Sequence, residues 1–322
     1  MAFDEGIISM SFISGEQAAK ADGISRVAIF KHVSRLRREG YKIESAMGRG
    51  YLLVPRFDGL LPMEIKARIG SDKNKHLFGG EVITLDCTDS TQKCLRGLAE
   101  GGAKEGTVVI SQEQGEGRGR MGRGWSSPRG GLWFSILLRP SIPVEDLHKL
   151  SLLFGLAVSL ALDRLGFQTV LKWPNDVLAE GRKICGVLTE ASIEPDNVDY
   201  VIVGIGVNVN FSSDSLPNGI RAGAISTFDI TGKKADRAEL LCSILRESER
   251  LYIEASKTGF EAIIDGWKKR LNTIGRMVSV ASPAGNYYGR AVSIDSNGFL
   301  VVETEKGKIC VSSGDVAILP GN

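Results

Sequence analysis

A segment rich in glycine and arginine constrains the fold of this chain more than any other feature. Residues 115–131, GEGRGRMGRGWSSPRGG, include seven glycines and four arginines and lie between two apolar runs. Gly117, Gly119 and Gly122 match the G-x-G-x-x-G pattern of dinucleotide-binding folds. In those folds the pattern opens a helix, but here Pro128 and further glycines follow it, and such residues disfavour a helix. We therefore predict a flexible loop rather than a Rossmann fold.

The composition of this segment, called the Arg/Gly loop below, favours anion binding. Glycines allow the backbone to move, and arginines offer rigid pairs of donors for carboxylate or phosphate groups. The sequence contains no G-x-x-x-x-G-K-S/T motif, so a P-loop is excluded. We predict a loop that is open when empty and becomes ordered on an anion. The alternative is a solvated surface loop without a ligand.

Length, charge and cysteine content limit the class of protein. The 322 residues allow two or three domains, and a net charge of +2 means that any nucleic-acid binding must be local. Five cysteines without a CxxC pair, and only three histidines, argue against a zinc site or disulfide framework and favour a cytoplasmic location. Asp4 and Glu5 stand where a signal peptide would be basic. The longest apolar segment, Leu150–Leu162, is too short for the ~20 residues of a membrane span, so it predicts a buried helix and no membrane partner.

The first 54 residues have the pattern of a winged helix-turn-helix domain. Ser14 and Gln17 form a capping box at the start of one helix, and a second helix follows the turn at Gly23. Residues 41–54 then predict two strands of a wing. The segment 14–51 carries eight basic and four acidic residues, and this excess favours DNA phosphates. A protein-interaction module is the alternative.

The second helix is predicted to bury Ile29, Val33 and Leu36, with Phe30 widening that stripe. The predicted DNA-binding residues are Arg26, Lys31, His32, Arg35, Arg38 and Arg49.

The remainder of the chain divides into three further parts. Residues 55–80 contain prolines and glycines and predict a linker with a short helix near residues 63–68. Residues 81–272 alternate strand and helix patterns, including one strand over 169–176, which predicts a mixed domain with a sheet facing helices. Residues 273–322 contain four short strand patterns separated by turn residues, at 276–282, 287–295, 299–305 and 307–313, which predicts a small β-barrel. The fold class is therefore α+β, multidomain.

Asp176 and Lys183 are the strongest catalytic candidates from the pattern alone. A hairpin is predicted at Glu180 and Gly181, and across it the two side chains can approach each other. A lysine can neutralise a phosphate, and an aspartate can hold a metal or receive a proton. Beside an arginine-rich loop, this pair suits phosphoryl or nucleotidyl transfer. A surface ion pair is the alternative.

Four motifs, in order along the chain, resemble those of the biotin protein ligases. They are GRGRMGRGW at residues 117–125, KWPND at 172–176, GRKICGVLTE at 181–190 and GIGVNVN at 204–210. With the basic N-terminal part and the C-terminal strands, the resemblance covers nearly the whole chain and is to the bifunctional type, ligase and biotin-operon repressor in one. It implies a winged helix, a central mixed α/β ligase domain and an SH3-like β-barrel.

The resemblance also implies the chemistry. ATP, expected with Mg²⁺, activates biotin as biotinyl-5'-AMP, and a lysine of the biotin carboxyl carrier protein of acetyl-CoA carboxylase or a related carboxylase attacks it. No metal-ligating residues are predicted. Residues 211–226 resemble a segment that covers the adenylate. The implied catalytic residues are Lys183, Arg118 and Asp176. The implied biotin-binding residues are Ser90, Thr91, Gln92, Gln114, Arg118, Gly119, Arg120 and Lys183, and the implied adenylate-binding residues are Trp125, Asn208, Arg120 and Lys183.

Three positions depart from the family pattern. Met121 and Gly124 stand where basic residues are frequent, which predicts a weaker hold on the adenylate, and Gln92 stands where asparagine is frequent. Two functions remain open at this point. The first is a ligase that represses transcription as an adenylate-bound homodimer on operator DNA, and the second is a ligase whose winged helix has no operator. A biotin sensor without catalysis would require loss of Lys183 or Asp176, and both are present.

Overall fold

The N-terminal part is a winged helix-turn-helix domain, as predicted. The structure, a computed structural model, describes residues 2–8, 11–70, 76–194 and 197–319. Ser14 and Gln17 form the expected capping box, and Gly23 adopts the left-handed conformation (φ 65°) that ends the helix. The wing strands pair antiparallel. The elements are α1 (Ala2–Ile8), α2 (Gly15–Asp22), α3 (Arg26–Arg38), β1 (Ile43–Ala46) and β2 (Gly50–Leu53).

Helix α1 was not predicted, and its packing corrects two expectations about α3. His32 was expected on the exposed, DNA-binding face, but the structure buries it against α1. Its Nε2 donates to Asp4 Oδ1 (2.6 Å), its Nδ1 accepts from Arg35 Nη2 (2.9 Å), and its ring meets Phe3 edge-on at 5.7 Å. Phe30 was expected to widen the buried stripe, but it is 58% exposed because α1 covers the His32 side of α3 and leaves the Phe30 side uncovered.

The predicted linker is packed against both neighbouring parts of the structure. Helix α4 (Pro62–Ile69) begins one residue before the predicted short helix and places Met63 in the core of the N-terminal domain and Ile65 in the central core. Glu64 is fully buried, and its carboxylate accepts from Arg56 Nε (2.9 Å). This segment therefore connects the two cores physically.

The central part is built on one seven-stranded sheet. Its strand order is β3-β4-β5-β9-β8-β7-β6, and all neighbours pair antiparallel except β3 and β4. The strand predicted over residues 169–176 is in fact two, because the chain reverses at Trp173 and Pro174. The predicted hairpin at Glu180 and Gly181 joins β7 to β8. The strands are β3 (Val82–Leu85), β4 (Val108–Ser111), β5 (Leu132–Leu138), β6 (Val170–Lys172), β7 (Asp176–Ala179), β8 (Arg182–Glu194) and β9 (Asn197–Val207).

Helices cover the central sheet. The apolar segment 150–162 lies in a helix, and almost all residues of the segment are buried, as predicted. Among the described residues, no helix is both long enough and apolar enough to cross a membrane. The helices are α5 (Thr91–Glu100), α6 (His148–Arg164), α7 (Asn218–Arg221), α8 (Thr227–Thr231), α9 (Arg237–Thr258) and α10 (Glu261–Arg270).

The C-terminal part is a five-stranded antiparallel sheet with the order β13-β12-β11-β10-β14. Four of its strands were predicted, and β14 was not. Trp173 from the central part donates its indole N–H to Gly298 O (2.9 Å), which fixes this sheet against the central domain. The strands are β10 (Met277–Ser282), β11 (Gly285–Ile294), β12 (Leu300–Thr304), β13 (Gly307–Val311) and β14 (Asp315–Ile318).

Candidate active site

A cavity of about 710 Å³ lies between the central sheet, the Arg/Gly loop and the C-terminal sheet. Strands β8 and β9 form its floor, and β10 and β14 contribute one wall. The sequence-predicted ligand and catalytic residues all line this cavity: Ser90, Thr91, Gln92, Gln114, Arg118, Gly119, Arg120, Trp125, Asp176, Lys183 and Asn208.

The N-terminus of α5 forms the polar end of the cavity. Ser90 precedes the helix and is buried, and Thr91 donates from its backbone N–H to Gln114 Oε1 (2.8 Å). Gln114 in turn donates to Ser127 Oγ (2.8 Å). Gln92 donates to Leu188 O (3.2 Å) on the floor. These bonds hold the polar side chains in fixed orientations before any ligand arrives.

Within the Arg/Gly loop, the stretch 117–125 is closed by its own backbone. Trp125 N donates to Gly117 O (2.8 Å), and Gly119 N donates to Arg123 O (2.7 Å). A Cβ at position 117 would lie 2.3 Å from Trp125 O, so glycine is required there. Met121 at the tip has a left-handed backbone (φ 56°) and a 60% exposed side chain. The loop therefore forms a compact turn over the cavity.

Two arginines of the loop connect it to the C-terminal sheet. Arg120 Nη1 donates to Gly314 O (3.2 Å), and Arg123 Nη2 donates to Asp315 Oδ1 (2.8 Å). Burial lowers the pKa of the Arg120 guanidinium, while the carboxylates of Asp315 and Asp176 act to raise it. Arg120 is half-buried and lines the cavity, so its guanidinium can offer paired donors to an anionic ligand.

Lys183 and Asp176 face each other across the β7–β8 hairpin, as predicted. Lys183 Nζ lies 2.6 Å from Asp176 Oδ1 and 5.0 Å from the centroid of the Trp125 ring. The Lys183 backbone also pairs with residues 211–226, called the covering segment below. The Lys183 N–H donates to Gly223 O (2.8 Å), and the Lys183 carbonyl accepts from Ile225 N (3.0 Å). The ammonium group therefore lies where the loop, the hairpin and the covering segment meet.

Trp125 lies flat against a floor made of glycines. A Cβ at Gly206 would lie 2.5 Å from Trp125 Nε1, and one at Gly186 would lie 3.1 Å from the ring. Trp133 meets the ring edge-on at 6.3 Å. Trp125 Nε1 is buried and has no hydrogen-bond partner among the described residues. Asn208 lies behind this site and donates to Ile225 O (3.0 Å), which anchors the covering segment.

Some cavity residues were not predicted individually. Lys172 and Asn175 belong to the KWPND motif, so the motif was the available signal, and Asn175 accepts from Arg120 Nη1 (3.4 Å). Ser279, Ala281 and Asp315 come from the C-terminal sheet, and no local pattern indicated that this sheet would reach the cavity. The described residues contain no group of three histidine, cysteine, aspartate or glutamate side chains that could hold a metal ion.

The predicted DNA-binding side chains other than His32 are exposed. Arg26 forms an ion pair with Glu16, and Arg35 lies 3.6 Å from Glu39. The guanidinium of Arg49, in the turn of the wing, lies 4.1 Å above the ring of Phe12. Lys31 and Arg38 are also exposed.

The chain matches three family models. Residues 84–208 match the Biotin/lipoate A/B protein ligase family, residues 273–319 match the Biotin protein ligase C terminal domain, and residues 7–52 match an HTH domain.

Curated proteins and solved structures resemble the chain over most of its length. It is 38% identical to the bifunctional ligase/repressor BirA of Bacillus subtilis, over 95% of this chain and 94% of that protein. Identity to the Escherichia coli protein of the same description is 31%, over 91% and 89%. The biotin protein ligase from Aquifex aeolicus, solved in complex with biotin and ATP, superimposes with a TM-score of 0.67 at 34% identity, over 74% of this chain and 98% of that one.

Proposed function

The chain belongs to the biotin protein ligase family, and from that membership we propose that it activates biotin with ATP and transfers it to a lysine of a biotin carboxyl carrier protein. The observation that carries the proposal is the convergence of the Arg/Gly loop, the Lys183–Asp176 pair and the covering segment on one cavity. The acceptor is proposed to belong to acetyl-CoA carboxylase or a related carboxylase.

In the first step, the biotin carboxylate attacks the α-phosphorus of ATP, biotinyl-5'-AMP forms and pyrophosphate leaves. Both reacting groups are anionic, so their approach requires cations. Lys183, Arg118 and Arg120 line the cavity and are proposed to stabilise the charge that develops at the phosphate. The N-terminus of α5, with Gln114 and Gly119, is proposed to hold biotin, and Trp125 and Asn208 the adenine side.

In the second step, the amine of the acceptor lysine attacks the acyl carbon, and AMP leaves with both electrons of the broken C–O bond. Asp176 is proposed to receive the proton that the attacking ammonium must lose. Hydrolysis of the mixed anhydride competes with transfer, so water must be excluded. Closure of the Arg/Gly loop and the covering segment over the cavity would provide that exclusion.

Mg²⁺ remains an expectation that comes with ATP. The cavity offers the carboxylates Asp176 and Asp315, and each is already paired with a cation. A site made only of protein ligands does not fit these residues, and Mg²⁺ usually binds mainly through substrate phosphates. No step above depends on it. We also propose a cytoplasmic location, which agrees with five free cysteines.

Transfer of labelled biotin to a purified biotin carboxyl carrier domain tests the ligase proposal. With ATP present, label should appear on a single lysine. Lys183→Ala should slow biotin-dependent pyrophosphate release by about 10²–10³-fold, because a cation at the reacting phosphate is lost. Lys268→Ala, an exposed lysine paired with Asp265 on α10, is the matched control. Wild-type turnover in Lys183→Ala would overturn the site assignment.

Repression of transcription is the second proposed activity, and the winged helix supports it. We propose that biotinyl-AMP favours a homodimer that binds a two-fold operator, since helix-turn-helix proteins read paired half-sites. Exposed Arg26, Lys31, Arg35, Arg38 and Arg49 are proposed to contact DNA phosphates. A ligase with an idle winged helix remains the alternative.

Gel shifts with and without biotin plus ATP, across a salt series, test this second activity. Operator affinity should rise with the adenylate and fall steeply with salt, because bound cations release counterions. Removal of the N-terminal domain is a poor test, because it exposes Met63 and Ala67 of α4. Lys31→Ala with Arg38→Ala is the better variant, since both side chains are exposed. Equal affinity in both ligand states would remove the sensor role and leave the ligase intact.

A further inference from the structure

The second helix of the helix-turn-helix presents two large apolar side chains to solvent. Val27 is 62% exposed and Phe30 is 58% exposed. They lie three residues apart and therefore share one face of α3. The opposite face already buries Ile29, Val33 and Leu36 in the domain core, so neither side chain is needed there.

The position of these side chains in the motif is specific. Ser25 Oγ accepts from Ala28 N (3.1 Å) and fixes the start of α3 directly before Val27. Val27 and Phe30 thus occupy the first two turns of the second helix. In helix-turn-helix proteins, the N-terminal residues of this helix contact base edges in the major groove.

The charge around the two side chains selects the kind of partner. Helix α3 contains five lysine and arginine residues and no acidic residue. Two copies of this face would repel each other. Arg26 and Arg35 already have carboxylate partners, but an apolar protein surface would leave Lys31 and Arg38 without counter-charges among the described residues. A polyanion that also displays small apolar groups would supply counter-charges for the cations and apolar contacts for Val27 and Phe30.

We propose that Val27 and Phe30 contact thymine methyl groups in the major groove, an inference that rests on the proposed DNA-binding function. The thymine C5-methyl is the apolar group among the major-groove edges of the base pairs, and apolar side chains recognise it by contact. Arg26 and Lys31, next to the two side chains in sequence, hold phosphates on either side. The chain therefore requires thymine at the operator positions opposite Val27 and Phe30.

The test uses the full-length protein with biotin and ATP, and duplexes that it selects from a random-sequence pool. Each thymine of the selected duplex is then replaced by deoxyuridine, which lacks only the methyl group. At contacted positions, affinity should fall about fourfold per methyl group, the equivalent of leaving one methyl group unburied. Because the change is made in the DNA, the result does not depend on the folding of a variant.

Protein variants show which side chain, Val27 or Phe30, contacts each thymine methyl group. Val27→Ala and Phe30→Ala should each bind the thymine duplex more weakly and lose discrimination against deoxyuridine at one position. Val27→Thr, which retains a methyl group, should keep most of that discrimination. Met47→Ala changes a side chain at the fully exposed tip of the wing. This variant should keep the wild-type ratio of affinities for the thymine and deoxyuridine duplexes at both operator positions.

Two outcomes separate the failure of this inference from failure of the proposed function. Equal affinity of the wild type for thymine and deoxyuridine duplexes would overturn the methyl contact while DNA binding stands. If no duplex can be selected from the pool, the operator function fails, and the inference fails with it.

Discussion

Loss of the Asp58 charge should destabilise the central domain and loosen the base of the Arg/Gly loop. Asp58 follows the wing, yet its carboxylate accepts from Arg237 Nε (2.6 Å) and Nη2 (3.0 Å) inside the central domain. Arg237 Nη1 also donates to Gln112 Oε1 and Gly131 O, each at 3.0 Å. Gln112 precedes the loop and Gly131 ends it, so one guanidinium holds both ends.

The expected size of the effect follows from burial. The side chains of Arg237 and Asp58 are 8% and 21% exposed, so removal of one partner leaves a buried charge without compensation. Such losses cost about 3–5 kcal/mol, and the partial exposure of Asp58 places our expectation near 3 kcal/mol. For a domain of this size, that is a fall in Tm of roughly 6–12 °C. Asp58→Asn is the preferred change, because Asp58 has φ 59° and asparagine tolerates that conformation.

Scanning calorimetry of the full chain measures the fall in Tm. Titration with biotin measures whether the loosened Arg/Gly loop lowers the affinity for biotin. Asp265→Ala is the control, since its ion pair with Lys268 is about half exposed and should contribute about 0–1 kcal/mol. Combined with Arg237→Met, Asp58→Asn should be non-additive by about 1–3 kcal/mol. If Asp58→Asn lowers Tm no more than Asp265→Ala, the reasoning from burial is wrong.

Three further changes address the cavity. Arg118→Gly should release biotinyl-AMP, so mass spectrometry should find biotin on lysines of bystander proteins; restriction to one lysine would contradict the role of the loop as a lid. Asp176→Asn should slow single-turnover transfer to the carrier by about 10²–10⁴-fold and change pyrophosphate release little, whereas equal losses in both steps would argue against a base. Met121→Arg should slow dissociation of biotinyl-AMP by about two- to fivefold in stopped-flow experiments, and an equal effect of Met121→Gln would exclude a charge effect.

Local patterns predicted much of the fold because cap and turn residues mark where many of the helices and strands begin and end. The capping box at Ser14, the left-handed Gly23 and the turn at Glu180 and Gly181 all appear where the sequence indicated. The predicted ligand and catalytic residues also meet in one cavity, although their individual roles and the domain boundaries stay predictions. Most of them lie within the four motifs, whereas Ser90, Thr91, Gln92 and Gln114 lie outside the motifs and were predicted from the family resemblance alone.

The expectations that were wrong, and the elements that were missed, depend on long-range packing. Burial of His32 results from α1, a short helix that no sequence pattern had indicated, and no pattern within α3 indicated its partner Asp4. Strand β14 has four residues, as the predicted wing strands do, but it pairs with the distant β10, so no hairpin turn marks it in the sequence. Asp315, in that strand, reaches the cavity only because the C-terminal sheet packs against the loop through Arg120 and Arg123. Sequence spacing alone does not reveal such contacts.

The ion pairs of the cavity suggest how the two proposed steps are kept in order. Without ligands, the Asp176 carboxylate is paired with Lys183 at 2.6 Å, so it is not free to contact the amine of an acceptor lysine. A phosphate that binds Lys183 would compete with Asp176 for the same ammonium group. Asp176 would then be available as a base only after the nucleotide site is filled. We infer that formation of the adenylate itself frees Asp176, because the phosphate takes its place on Lys183, and that the base for the second step becomes available when the acyl group is ready for attack.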